Sequence, residues 1–272
     1  MKIESNSIDN TKLFSGKVED YQKFRPHYPQ KIAEFLKRFG ALNKNTIVAD
    51  IAAGTGIVTR LMAGHAKKVI AIEPNQDMLG ALATLKRDAT IVASADLFSK
   101  WENVIEILQG VGEKTGLADH SVDLITLGSA FHWLDADAAK IEFSRILKPE
   151  GYVAILYHER DREEDAFQKE IEEIQGKRFP AHREWWRKKF HPRNYRKFFG
   201  GEMITYTVPT PVEMDLPGFT GLIRSTSSHP KEDSELRTKI ELDMKEAFGK
   251  YKKYNGMVDI LYQATVYLGR PH

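Results

Sequence analysis

The chain has 272 residues, no cysteine, and a net charge of +2 from 40 basic and 38 acidic side chains. That length allows one full α/β core with an appended subdomain, and the charge balance gives no global attraction to nucleic acid. The absence of cysteine excludes disulfides and thiolate metal sites, and no apolar run is long enough for a membrane-spanning helix. Met1 to Asn6 lacks the apolar core of a signal peptide, so a cytoplasmic location is the default expectation.

Near the start of the chain, Pro26 and Pro29 stop one helix and begin another, Gln30 to Phe39, with Ile32, Phe35, Leu36 and Phe39 on one face. Thr46 to Asp50 then reads as a buried strand ending in an acid. It passes through the small residues Ala52, Ala53, Gly54, Thr55 and Gly56 into a helix from Ile57. Small residues suit such a turn because the backbone must approach a ligand while the free N–H groups of the helix face it. Val69 to Glu73 is a second buried strand, which brings Glu73 to the carboxyl edge of the sheet beside the turn. An acid there can accept hydrogen bonds from both hydroxyls of a ribose.

Pro74 to Leu85 reads as the next helix, with Met78 near its start. Two segments compete to be the third strand, residues 90–96 and residues 104–113, and the second is favoured. Strand four, Val122 to Leu127, runs into Gly128-Ser129-Ala130-Phe131-His132-Trp133-Leu134-Asp135 at the carboxyl edge, where open α/β sheets bind ligands. The plainer alternative is that Trp133 packs on the following helix, Ala136 to Leu147, and that His132 is a satisfied interior histidine. Lys148 to Gly151 reads as a turn and Tyr152 to Tyr157 as strand five.

An acidic helical run, Glu159 to Glu173, precedes a block of basic and aromatic residues over 177–197 that includes Trp186. Such a block can bind phosphates and stack on bases, although more often it is a solvated helix with its aromatics packed inward. The tail reads as a strand from Glu202 to Val208, a helix from Leu216 to Arg224, a longer helix from Glu232 to Phe248 and a last strand from Met257 to Tyr267. No metal-ligand spacing appears among the histidines, and no Ser-His-Asp order points to a hydrolase.

The run Asp50-Ile51-Ala52-Ala53-Gly54-Thr55-Gly56 resembles the first motif of class I S-adenosylmethionine-dependent methyltransferases, an acid followed by G-x-G-x-G, with Ala52 in place of the first glycine. Glu73 matches the ribose-binding acid of that family. Gly112-Glu113 and the lead into Val122 resemble its third-strand loop, and a helix followed by Lys-Pro-x-Gly and a strand is a further shared feature. Tyr21-x-x-Phe24-Arg25-Pro26-x-Tyr28-Pro29 is similar to the entry segment of small-molecule methyltransferases of the trans-aconitate and quinone type, where it folds over the cofactor.

The resemblance implies a Rossmann-like, seven-stranded α/β sheet flanked by helices, with a helical lid after strand five. It divides the chain into N-terminal cap helices over 1–40, a cofactor-binding core over 41–158, a lid over 159–200, and strands and helices over 201–272 that complete the sheet and substrate pocket. The implied cofactor is S-adenosylmethionine, with S-adenosylhomocysteine as product. Its expected contacts are Tyr21, Arg25, Asp50, the turn from Ala52 to Gly56, Glu73, Pro74, Asn75, Met78, Gly112, Glu113, Ser129, Ala130 and Phe131. Tyr28, Trp133 and Trp186 are candidate acceptor contacts, His132 is the candidate base, and no metal is expected. The leading expectation is methyl transfer to a small organic acceptor. An RNA methyltransferase using the block at 177–197 and a nucleotide-binding module without catalysis remain as alternatives.

Overall fold

The structure is a computed structural model that describes residues 14–85, 104–160, 165–178, 192–227, 229–230 and 234–271. In chain order the elements are α1 (Val18–Phe24), α2 (Gln30–Arg38), β1 (Ile47–Ile51), α3 (Ile57–Ala63), β2 (Lys68–Glu73), α4 (Gln76–Leu85), β3 (Ile105–Gln109) and β4 (Val122–Gly128). A 3-10 turn at Phe131–Trp133 leads to α5 (Ala136–Ile146), β5 (Leu147–Arg160), α6 (Ala166–Arg178) and α7 (Pro192–Phe198). The chain continues through β6 (Met203–Pro209), β7 (Val212–Met214), α8 (Leu216–Arg224), α9 (Glu235–Tyr251), β8 (Val258–Ile260) and β9 (Tyr262–Gly269).

Seven strands form one mixed sheet in the order β3-β2-β1-β4-β5-β9-β6. The first five are parallel, and β9 runs antiparallel to both β5 and β6. Parallel strands covered on both faces read as continuous apolar runs, as Ile47 to Ala49 and Val69 to Ile72 do. One face of the sheet packs against α2 and α3 through Ile32, Leu36, Leu61 and Met62, and the other against α5 and α7 through Phe143, Ile146, Tyr195 and Phe198. The strand order reverses between β2 and β4, with β1 at the centre. Open sheets leave a crevice at the carboxyl ends of strands at such a point.

A third core joins α6, α8 and α9 to the small β7-β8 sheet through Phe167, Ile171, Phe219, Met244, Phe248, Val258 and Ile260. Helix α1 lies across α8, and Gly221 permits the approach, since a Cβ there would stand 2.1 Å from the Phe24 ring. Lys17 donates to the carbonyls of Thr226 and His229 at 2.7 and 2.9 Å, and Arg25 Nη2 donates to that of Ser225 at 3.0 Å. The basic side chains of this N-terminal segment thus satisfy carbonyls at and beyond the end of α8, where helical partners run out.

Three sequence expectations are corrected and one choice between segments is decided. The expected last strand is two strands, because β8 pairs with β7 and β9 pairs with β5 and β6; a segment that changes sheets must break its ladder, here at Leu261. Lys148 to Gly151 is not a separate turn but a bulged part of β5. The ladder passes from Val122 opposite Leu147 directly to Leu124 opposite Tyr152. Glu159 lies in β5 opposite Gln263, and the following helix starts at Ala166. The third strand is the favoured segment, at Ile105–Gln109; the competing residues 90–96 lie outside the described residues.

Candidate active site

Two adjoining cavities lie at the carboxyl edge of β1, β2 and β4. The outer one, of about 300 Å³, is bounded by Glu73, Pro74, Asn75 and Met78 on one side, by Val111, Gly112, Glu113 and Leu134 on the other, and by Gly54 and Ala130. The inner one, of about 110 Å³, is walled by Arg25, Tyr28, Asp50, Ala53, His132, Tyr157, His158 and Tyr262. Phe14, Tyr21, Ala52, Gly128, Ser129 and Trp133 line both cavities and form the throat between them.

The turn after β1 is held in a demanding conformation. Gly54 and Gly56 have φ of 58° and 84°, and Ala52, without a glycine's freedom, has φ of 51°. Ser129 across the throat has φ of 54°. A non-glycine residue in this left-handed region costs about 1–3 kcal/mol, and such strain concentrates at functional sites. Glu73 braces the turn: its Oε2 accepts the Gly54 N–H at 2.8 Å and its Oε1 accepts the Asn75 N–H at 2.9 Å. Burial raises the pKa of the Glu73 carboxyl, and these two amides oppose the shift. Each oxygen keeps a further lone pair for a ligand hydroxyl.

Asp50 plays a different part from the one its motif suggests. Its carboxylate is wholly buried and accepts from Thr59 Oγ1 at 2.6 Å and Thr126 Oγ1 at 2.8 Å. It therefore ties β1 to α3 and β4. Burial, against the relief from both threonines, raises its pKa to about 6. Asn75 Oδ1 caps α4 by accepting the Met78 N–H at 3.0 Å, while Asn75 Nδ2 donates to Ser15 Oγ and Asp77 accepts the Gly16 N–H. The segment before α1 is thereby fixed over the outer cavity.

His132 is buried at the inner cavity, with Nδ1 3.1 Å from the Tyr157 hydroxyl, which also accepts the His132 backbone N–H at 3.2 Å. Tyr28 reaches Ser129 Oγ at 3.1 Å through its hydroxyl and stacks on His158 with ring centroids 4.1 Å apart. The Arg25 guanidinium lies 5.0 Å from the Tyr21 ring centroid, within cation–π range. Glu113 lines the outer cavity, where its Oε1 also accepts the Asp135 N–H at 2.8 Å.

Most of the sequence-nominated residues meet here, with clear exceptions. Thr55 is fully buried, and neither it nor Gly56 lines either cavity; Gly56 is the residue before α3. Phe131 is turned away, packing edge-on to Tyr195 and Phe198 in the core, so only Trp133 supplies an aromatic wall from this turn. Trp186 lies outside the described residues, as does most of the block at 177–197. In the described part of that block, Tyr195 is buried in the core, which leaves it unable to stack on bases.

Residues 49–155 match a family model described as a methyltransferase domain. Beyond it, a protein from Schizosaccharomyces pombe named an uncharacterized methyltransferase is 31% identical over 151 residues, which are 55% of this chain and 54% of that protein. The chain thus spans about half the length of the curated relatives it matches. A solved structure from Anaeromyxobacter dehalogenans, described as a candidate type II methyltransferase, superposes with a TM-score of 0.57 at 16% identity over 92% of this chain and 100% of that one. Another, from Methanococcus maripaludis, described as a candidate S-adenosylmethionine-dependent methyltransferase, has a TM-score of 0.51 at 22% identity over 75% of this chain and 91% of that one. The narrower likeness to the trans-aconitate group rests on the sequence motifs alone.

Several residues that sequence reasoning did not nominate also line the two cavities, among them Phe14, Tyr157, His158, Ser227 and Tyr262. Tyr157 and His158 follow the apolar run of β5 at the same sheet edge as His132, and polar groups ending a buried strand there were a readable signal. Tyr262 carried none, since it opens β9 within a stretch that reads as strand throughout.

Proposed function

We propose that this protein transfers the methyl group of S-adenosylmethionine to a small organic acceptor. The observation that supports this most is the throat: two cavities meet end to end at Ala52, Ser129 and Trp133, one bounded by an acid suited to a ribose and the other by polar and aromatic side chains. A displacement at carbon needs its nucleophile and leaving group on opposite sides of the methyl group, and two joined compartments supply that alignment. Such alignment in a confined site can be worth about 7–11 kcal/mol.

The residues fit the cofactor. Glu73 offers two carboxylate oxygens to the ribose, and Met78, Val111 and Leu134 offer an apolar slot for the base. Arg25 has no carboxylate partner among the described residues, and it is suited to pair with the methionyl carboxylate. Bound S-adenosylmethionine supplies a methyl group on a cationic sulfur, which leaves as the neutral thioether of S-adenosylhomocysteine. The faces of Trp133 and Tyr21 at the throat favour that cation by about 0.5–2 kcal/mol each. His132, held through Nδ1 by Tyr157, is suited to take a proton from an acceptor that must lose one.

The experiment is incubation of the protein with methyl-labelled S-adenosylmethionine and separate pools of small organic acids, phenols, amines and RNA. Label entering a small-molecule pool supports the proposal, and label entering RNA alone overturns it.

A further inference from the structure

The strap over residues 14–29 is tied to two separate parts of the molecule. On one side, Asn75 Nδ2 donates to Ser15 Oγ at 3.0 Å and the Gly16 N–H donates to Asp77 Oδ2 at 3.2 Å, which fastens the strap to the start of α4. On the other, Lys17 Nζ donates to the Thr226 and His229 carbonyls at 2.7 and 2.9 Å, and Arg25 Nη2 donates to that of Ser225 at 3.0 Å, which fastens it to the loop after α8. Asn75 lines the outer cavity, whereas Ser227 of that loop lines only the inner one. The strap itself gives Phe14 and Tyr21 to both cavities, and Arg25, Pro26 and Tyr28 to the inner one. Its helix α1 has seven residues, none of them buried. So short a helix does not hold by itself, and a segment with few buried contacts opens at a far lower free energy than the core. The loop after α8 leans on it: the Thr226 carbonyl held by Lys17 also accepts the His229 N–H at 3.2 Å.

We infer that Lys17 is a positioning residue that couples the two cavities: a ligand in the outer cavity docks the strap, and the docked strap, through Lys17, orders the loop after α8 and completes the wall of the inner cavity. A ligand shifts such an equilibrium only by binding one state better than the other. The difference here is Phe14 and Tyr21, which reach the outer cavity when the strap is docked. Their rings stand edge to face with centroids 5.7 Å apart, and Phe14 also meets the Trp133 ring edge to face at 6.1 Å, so they dock as a unit against the throat. Lys17 itself lines neither cavity and acts only through the loop. Coupling of this kind is reciprocal. An acceptor held against Tyr28 and Ser227 therefore tightens the grip on the methyl donor, and the inner cavity is complete only when the donor is in place.

This inference rests on the proposed function for what fills the outer cavity, and the test separates the two. Hydrogen exchange of the full chain is followed with and without saturating S-adenosylhomocysteine. Exchange in the loop after α8 is expected to slow by about fivefold or more on binding. Lys17→Met should remove that slowing while protection at the start of α4 remains and S-adenosylhomocysteine still binds, with a Kd raised by at most about tenfold. Lys17→Arg, which keeps a donor at this position, should bring the slowing back. A ligand that touched the loop directly would slow its exchange in Lys17→Met as well. Ser15→Ala, which loosens the other tie of the strap, should also weaken the slowing, and it serves if Lys17→Met fails to fold. No slowing in the native protein, or full slowing in the variant used, would overturn the inference while the proposed function stands. Failure of S-adenosylhomocysteine itself to bind would remove the proposed function and the inference with it.

Discussion

Glu73→Gln is the most informative single change at the outer cavity. The substitution preserves shape but replaces one acceptor oxygen with an NH₂ group. In the native structure both oxygens are used within the protein, by the N–H of Gly54 at 2.8 Å and of Asn75 at 2.9 Å. With glutamine, one of those amides faces a donor and the turn loses a charged hydrogen bond, which should lower unfolding stability by about 1–3 kcal/mol. The ribose hydroxyls separately lose an ionised acceptor worth about 1.5–3 kcal/mol, so the Kd for S-adenosylhomocysteine should rise about 10- to 150-fold. Chemical denaturation reads the first effect and calorimetry the second. A variant that is less stable but binds S-adenosylhomocysteine with native affinity would show that Glu73 only braces the glycine turn, and the ribose assignment would be refuted.

Other expectations concern the inner cavity and its cover. His132→Ala should leave S-adenosylmethionine affinity nearly unchanged while methyl transfer falls by about 10²–10⁴-fold for an acceptor that must lose a proton; a severe loss of cofactor binding in calorimetry would mark the residue as structural. Lys17→Met removes the donor to the Thr226 and His229 carbonyls, and hydrogen exchange of the segment that follows α8 should accelerate. Unchanged exchange there would mean that the N-terminal segment does not hold that loop. His158 has a folded pKa of about 3, below its unfolded value, so the unfolded chain takes up the proton first as pH falls. Its stabilising effect is complete above pH 6.5 and is lost from there down to about pH 3. Compared with His158→Phe, the native protein should therefore lose up to about 1.4 kcal/mol of stability per pH unit in that window. Parallel stability curves for the two proteins would contradict this.

The central part of the site was legible because its signals are local. An apolar run ending in an acid, then small residues, then a helix pattern placed Ala52 to Gly56, and a second such run placed Glu73, since a parallel strand buried on both faces has no polar residues to confuse its edges. The division of Met257 to Tyr267 into β8 and β9 was not legible, because the sequence stays strand-like through the break and the change of sheet partner is a tertiary event. Phe131 and Trp133 are equally aromatic in the sequence, and only the 3-10 turn decides that one enters the core and the other the throat. His158 looked like the end of a strand. What gives it meaning is Tyr28, brought against it from the far side of the sheet edge by the segment between α1 and α2.

The most direct test of the account is calorimetry of the purified protein with S-adenosylmethionine, S-adenosylhomocysteine and NAD in parallel. Micromolar binding of the first two without NAD binding is the predicted result, since the turn at Ala52 to Gly56 stands beside a single acid suited to a ribose. Binding of NAD alone would contradict the reading of that turn and the methyl-transfer function built on it.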